Sequence, residues 1–219
     1  MPGTGGNCTK SAVELTKYAE SVGADGALIV TPYYNKTTQD GLFAHYKEIA
    51  SKTNLPIILY NVPSRTGVNI LPATCKKLAQ IENIVAIKEA SGDISQIAEI
   101  ASACGDSLQI YSGNDDQIVP ILALGGIGVI SVISNIAPKF THNMAKDFLD
   151  GSIETATNAQ IKCIPLLKAL FCEVNPIPVK AGLNMMGYDV GIPRLPLVEM
   201  TTAGKDRLHS ELLAFNLIK

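Results

Sequence analysis

Five short apolar runs recur along the first 135 residues, each followed by a helical pattern before the next begins. They span 26–31, 55–61, 84–88, 108–112 and 128–134, so their starts lie 29, 29, 24 and 20 residues apart. The intervening helical patterns cover 11–22, 40–53, 72–80, 94–104 and 116–124. A strand, a crossover helix and a return strand at this spacing form a βαβ unit, and its repetition predicts a parallel sheet. Every run ends in polar or glycine residues, among them Tyr33-Tyr34-Asn35, Asn61 to Gly67, Lys88 to Gly92 and Ser112 to Asp115. In a (β/α)₈ barrel the C-terminal strand ends carry the active site, so chemistry-capable residues at five successive ends favour a barrel. No G-x-G-x-x-G opens a helix after a strand, which argues against a dinucleotide-binding sheet.

Beyond Asn135 the pattern changes to helices alone, over 138–150, 153–171, 178–186 and 202–216. Pro165 lies inside the second and is expected to kink it. The organisation expected is therefore a partial barrel over 1–150 and a C-terminal helical extension over 151–219.

With 47% hydrophobic and 17% charged residues the chain reads as an ordinary compact protein, and a net charge of −2 offers no argument for nucleic acid or an anionic membrane. No run of about 18 apolar residues occurs, so no membrane span is expected. Five scattered cysteines (8, 75, 104, 163 and 172) without a C-x-x-C pair suggest reduced thiols in a cytoplasmic enzyme. The start carries neither a basic nor an apolar segment, so no signal peptide is expected. Asn114-Asp115-Asp116 offers a poor metal set, and Asp115 or Asp116 reads better as a helix cap. His45, His142 and His209 fall on helical patterns and read as surface or half-buried residues. Lys180 reads as structural.

Chemistry is concentrated at two strand ends. Four of the five residues before Lys88 are apolar, so its ammonium sits where desolvation disfavours charge. A lysine with a lowered pKa is an amine nucleophile for carbonyl substrates. An isolated lysine at such a place more often snorkels to water. A second apolar strand, Leu55 to Asn61, places Tyr60 and then Arg65 beside it.

Together Tyr60-Asn-Val-Pro-Ser-Arg-Thr-Gly67 and Ile87-Lys-Glu-Ala-Ser-Gly92 resemble the dihydrodipicolinate synthase family of pyruvate-dependent class I aldolases. The motifs at 31–35, 112–115, 128–132 and 175–180 follow in the family's order, and the resemblance runs from Gly3 to the C-terminus. It implies an α/β, (β/α)₈ TIM barrel with a C-terminal helical extension. Eight βα units need roughly 200 to 250 residues, yet only about 150 precede the helical tail. The resemblance places Gly3-Thr4-Gly5 just after barrel strand three. The expectation is thus an N-terminally incomplete barrel holding strands 4–8 and the end of strand three, without the family's G-T-T-G-E carboxylate-binding loop.

The implied activity is lysine (diaminopimelate) biosynthesis: condensation of pyruvate with L-aspartate 4-semialdehyde through a Schiff base on Lys88, with no metal or organic cofactor. Tyr60 and Tyr34 are implied as a proton relay, Tyr34 reaching a neighbouring subunit's site. Arg65 is implied for the acceptor's carboxylate, which suits its bidentate fork. Ile130, through its backbone carbonyl, and Gly113 are implied in pyruvate binding. Asn7 and Tyr33 occupy positions of the family's regulatory pocket. A homo-oligomer, dimer or tetramer, is expected. Two alternatives stay open: a weakly active or inactive barrel remnant acting as an assembly partner, and a related pyruvate aldolase of the N-acetylneuraminate-lyase branch.

Overall fold

The computed structural model describes residues 1–219. Its sheet has five parallel strands, β1 (Ala27–Val30), β2 (Ile57–Asn61), β3 (Ile84–Glu89), β4 (Gln109–Ser112) and β5 (Gly128–Val129). Their spatial order follows the chain from β1 to β5 without reversal. That winding belongs to a barrel, since a doubly wound sheet reverses its order at a switch point. A single bridge pairs Gly3 with Leu28 and adds residues 2–4 along the outer side of β1.

The helices α1 (Thr9–Ser21), α2 (Gln39–Ala50), the short α3 (Pro63–Thr66), α4 (Pro72–Leu78), α5 (Ile94–Cys104) and α6 (Ile118–Ala123) alternate with these strands. Side chains alternate along each strand. One set (Ile29, Leu59, Ile87 and Ile110 among them) joins Leu42, Ile49, Leu78 and Ile100 of the helices in one buried core. The other set, including Leu28, Val30, Ile58, Tyr60 and Lys88, is only half-buried. The core therefore lies on the helix side, and the second face carries Tyr60 and Lys88. Thr38 and Asp93 cap α2 and α5, accepting bonds from the Gly41 and Gln96 amides. Such caps are worth about 1 kcal/mol each.

Three expectations are corrected here. The fifth strand, expected over 128–134, stops at Val129 and is followed by a 3₁₀ turn over Ile133–Asn135. Ser131 Oγ accepts the Ser134 amide at 2.9 Å, and the Ser134 hydroxyl donates to the Ser131 carbonyl at 3.2 Å. Serine side chains thus offer the backbone local bonds in place of a ladder. The chain divides at Ile130 rather than at 150, into compact units Met1–Ile130 and Ser131–Lys219. The helix α7 (Pro138–Leu149) packs on α8 (Ile153–Leu170) and so falls in the second unit, which continues with α9 (Ile177–Met185) and α10 (Thr202–Ala214). His45 is 5% exposed rather than half-buried, and its Nδ1 pairs with the Thr9 hydroxyl.

In the second unit Lys180 donates to the Ile192 carbonyl at 2.8 Å and Asn184 to that of Gly191 at 3.1 Å, which pins the loop before α10 to α9.

Candidate active site

The C-terminal ends of β1 to β5 are tied in sequence by main-chain bonds. Thr31 N–H donates to the Tyr60 carbonyl, Ala90 to Asn61, Gly113 to Glu89 and Ile130 to Ser112. In this frame Tyr60 and Lys88 are register partners on β2 and β3, and Tyr111 of β4 stands on the other side of Lys88. All three point to the half-buried face. Lys88 Nζ lies 4.2 Å from the centre of the Tyr60 ring.

Burial pushes the Lys88 amine below its ordinary pKa; the Asp115 carboxylate opposes that shift and the Arg65 guanidinium adds to it. Burial raises the Tyr60 phenol, and Arg65 partly offsets the rise. A desolvated amine beside a protonated phenol can attack a carbonyl and pass protons to and from the adduct. A cavity of about 370 Å³ opens along this face, bounded by Tyr60, Arg65, Tyr33, Val30 and the backbone of Gly3 and Gly5.

The structure thus brings Lys88, Tyr60 and Arg65 together, with Tyr33 on the same cavity. Gly113 passes beside Lys88: a Cβ built there would lie 3.1 Å from Lys88 Cγ and 2.9 Å from the Glu89 carbonyl oxygen. Ile130 is held next to Ser112 through its amide. Tyr34 is not brought in. It is 91% exposed, with φ of 68°, outside the residues lining the cavity. Asn7 lies nearby in the chain's path, its carbonyl accepting from Asn35 Nδ2 at 2.8 Å.

Asp115 is not a helix cap. Asn114 occupies that position without a side-chain bond, while Asp115 is 3% exposed and its charge reaches Lys88. Two further residues were not anticipated: Asn61 and Glu89, both fully buried, immediately after Tyr60 and Lys88. Alternation alone sends them to the helix side, where polar groups need partners. That rule was the available signal. Burial raises the Glu89 carboxyl, and hydrogen bonds from Ser91, Asn61 and Gln96 pull it down. No group of three or more His, Cys, Asp or Glu side chains is placed to hold a metal ion.

A desolvated lysine and a phenol at adjacent strand ends of a barrel-wound parallel sheet define a candidate imine-forming α/β-barrel enzyme. The chain belongs to the dihydrodipicolinate synthetase family, whose pattern it matches over residues 1–215. It is 59% identical over 217 residues to a 4-hydroxy-tetrahydrodipicolinate synthase of Caldicellulosiruptor saccharolyticus, covering 99% of this chain and 73% of that protein. Identity to the synthase of Clostridium perfringens is 56%, covering 100% and 75%. The solved dihydrodipicolinate synthase of Thermotoga maritima superposes with a TM-score of 0.95 at 46% identity, covering 99% of this chain and 75% of that one. The Cyanidioschyzon merolae enzyme, solved with lysine bound, gives 0.96 at 42%, covering 99% and 74%.

Proposed function

We propose that the chain is a lyase of lysine (diaminopimelate) biosynthesis, condensing pyruvate with L-aspartate 4-semialdehyde to 4-hydroxy-tetrahydrodipicolinate. The observation that carries the chemistry is the desolvated Lys88 amine over the Tyr60 ring. The relatives' shared name gives the product, and the family that the motifs at 60–67 and 87–92 resemble supplies the two substrates.

In this reading the neutral Lys88 amine adds to C2 of pyruvate, and loss of water leaves an iminium. The iminium is an electron sink, so the methyl carbon gives up a proton and becomes an enamine. That carbon attacks the semialdehyde's C=O. The acceptor's own amine then adds to C2 and expels Lys88, closing the ring, with one water released overall. Tyr60 moves the protons. Arg65, on the same cavity, takes the acceptor's carboxylate. Gly113 leaves room for the Lys88 stem, and the Ile130 backbone borders the pyruvate. Tyr34, with its phenol in solvent, serves the site of a second copy. Asn7 and Tyr33 belong to an effector pocket. The sequence of steps uses no metal or organic cofactor.

The five strands correspond to strands 4–8 of an eight-stranded barrel, and the Gly3 bridge to the end of strand three. Support comes from their unreversed order and from the 73–75% of the relatives' length that this chain matches. No helix is long and apolar enough to cross a membrane.

The test is intact-mass measurement after borohydride reduction with pyruvate. One pyruvyl addition is expected, absent in Lys88→Ala; an adduct that persists in that variant refutes the assignment.

A further inference from the structure

Tyr60 and Lys88 point to the half-buried face of the sheet, and the residue after each faces the helices. Asn61 and Glu89 are themselves register partners, both with no solvent exposure. Glu89 Oε1 accepts the Ser91 amide at 2.7 Å, and Asn61 Nδ2 donates to Oε2 at 3.0 Å and to Oε1 at 3.3 Å. Asn61 Oδ1 accepts the Ile70 amide at 3.0 Å, while Nδ2 also donates to Asn69 Oδ1 at 2.8 Å. Asn69 and Gln96 close the cluster reciprocally, at 2.7 and 3.1 Å. One buried pair therefore holds the strand ends of β2 and β3 to each other, to the segments that follow them, and to α5.

We propose that Asn61 and Glu89 are positioning residues for the imine-forming reaction, a carboxylate–amide lock behind the sheet that sets the direction of Tyr60 and Lys88 in front of it. The proposal rests on reading Lys88 as the nucleophile.

The lock requires a carboxylate at position 89 because the Ser91 amide and Asn61 Nδ2, which can only donate, face its oxygens along with the Ser91 hydroxyl and the Gln96 side chain. A glutamine would turn its own NH₂ toward one of them. Asn61 cannot flip to receive it, since the Ile70 amide needs Oδ1. Two donors would then face each other out of reach of water, which costs a full desolvation penalty and forces a shift. The shift moves the main chain one residue from the amine and the phenol, whose reactivity depends on placement.

The same logic supplies the rescue. In the double variant Glu89→Gln/Asn61→Asp, the aspartate keeps the Ile70 amide on one oxygen and accepts the glutamine NH₂ on the other. The glutamine oxygen keeps the Ser91 amide. The polarity of the pair is reversed, and Asn69 and Gln96, which bond each other reciprocally, turn their amides together so that Asn69 offers Nδ2 rather than Oδ1 to the aspartate.

The experiment measures borohydride trapping of pyruvate at saturating concentration, per folded molecule, across a pH series, with melting temperature recorded alongside. Glu89→Gln and Asn61→Asp are each expected to slow trapping by at least about tenfold, since a displacement on the order of 1 Å at a reacting group costs up to about 100-fold. The double variant is expected to return most of that loss, with the wild-type pH profile. A merely structural pair would lower the melting temperature and leave the trapping rate per folded molecule unchanged, and that result overturns the proposal. Where neither single variant folds, the double variant decides: slow trapping in a folded double variant overturns it equally. Absence of any pyruvyl addition in the unaltered chain is a different failure, one that refutes Lys88 as the nucleophile and removes the basis for the lock.

Discussion

Lys88 Nζ stands 4.2 Å from the centre of the Tyr60 ring, and the two residues are direct register partners on β3 and β2. The ring face favours a cation. Burial nevertheless moves Lys88 toward the neutral amine, with Arg65 acting in the same direction. A nucleophilic amine is the form an imine-forming reaction consumes.

In the proposed reaction, the charges around Lys88 set the pH at which the amine adds to pyruvate. Asp115 holds the amine's pKa up and Arg65 pushes it down. Removing the negative charge in Asp115→Asn should therefore lower the pKa further and move the midpoint of the trapping-rate profile to lower pH. Arg65→Gln should move it to higher pH. Opposite movements, or none, measured by borohydride trapping over a pH series, would show that these charges do not reach the amine.

Arg65→Ala should reduce turnover on aspartate semialdehyde at least about tenfold, the loss expected for one charge-assisted hydrogen bond of roughly 1.5–3 kcal/mol. Pyruvate adduct formation should be affected much less. Equal loss in trapping and in a reductase-coupled assay would assign Arg65 to pyruvate or to the fold instead.

Gly113→Ala places a methyl group 2.9 Å from the Glu89 carbonyl oxygen and 2.8 Å from Ala90 Cβ, at the last residue of β3 and the one after it. Overpacking of this kind costs about 1–3 kcal/mol. A lowered denaturation midpoint is expected, together with slower trapping, because Lys88 Cγ is the next neighbour at 3.1 Å. Unchanged trapping would mean that β4 yields and β3 does not.

The sheet is open, with β5 only two residues long and the outer side of β1 covered by one bridge. Exposed strand edges beside apolar side chains favour association. The chain is expected to sediment as a dimer or larger at micromolar concentration. A monodisperse monomer would refute this.

The sequence by itself determined the local elements and singled out Lys88 and Tyr60. Apolar runs broken by glycine and polar residues mark β1 to β4, because a strand buried on its helix side admits little else. Lys88 and Tyr60 were legible because a charged or phenolic group at the end of such a run stands out against it. Only the tertiary structure decided which groups meet them. Asp115 reads as a cap until β4 aligns beside β3, where its charge raises the Lys88 pKa. Asn61 reads as the last residue of one strand and Glu89 as the first residue beyond another until strand register makes them partners. Serines at 131 and 134 end β5 through bonds that hydropathy does not register. Local periodicity encodes which face a side chain takes, but distances between residues far apart in the chain are fixed only when sheet register and helix packing are set together.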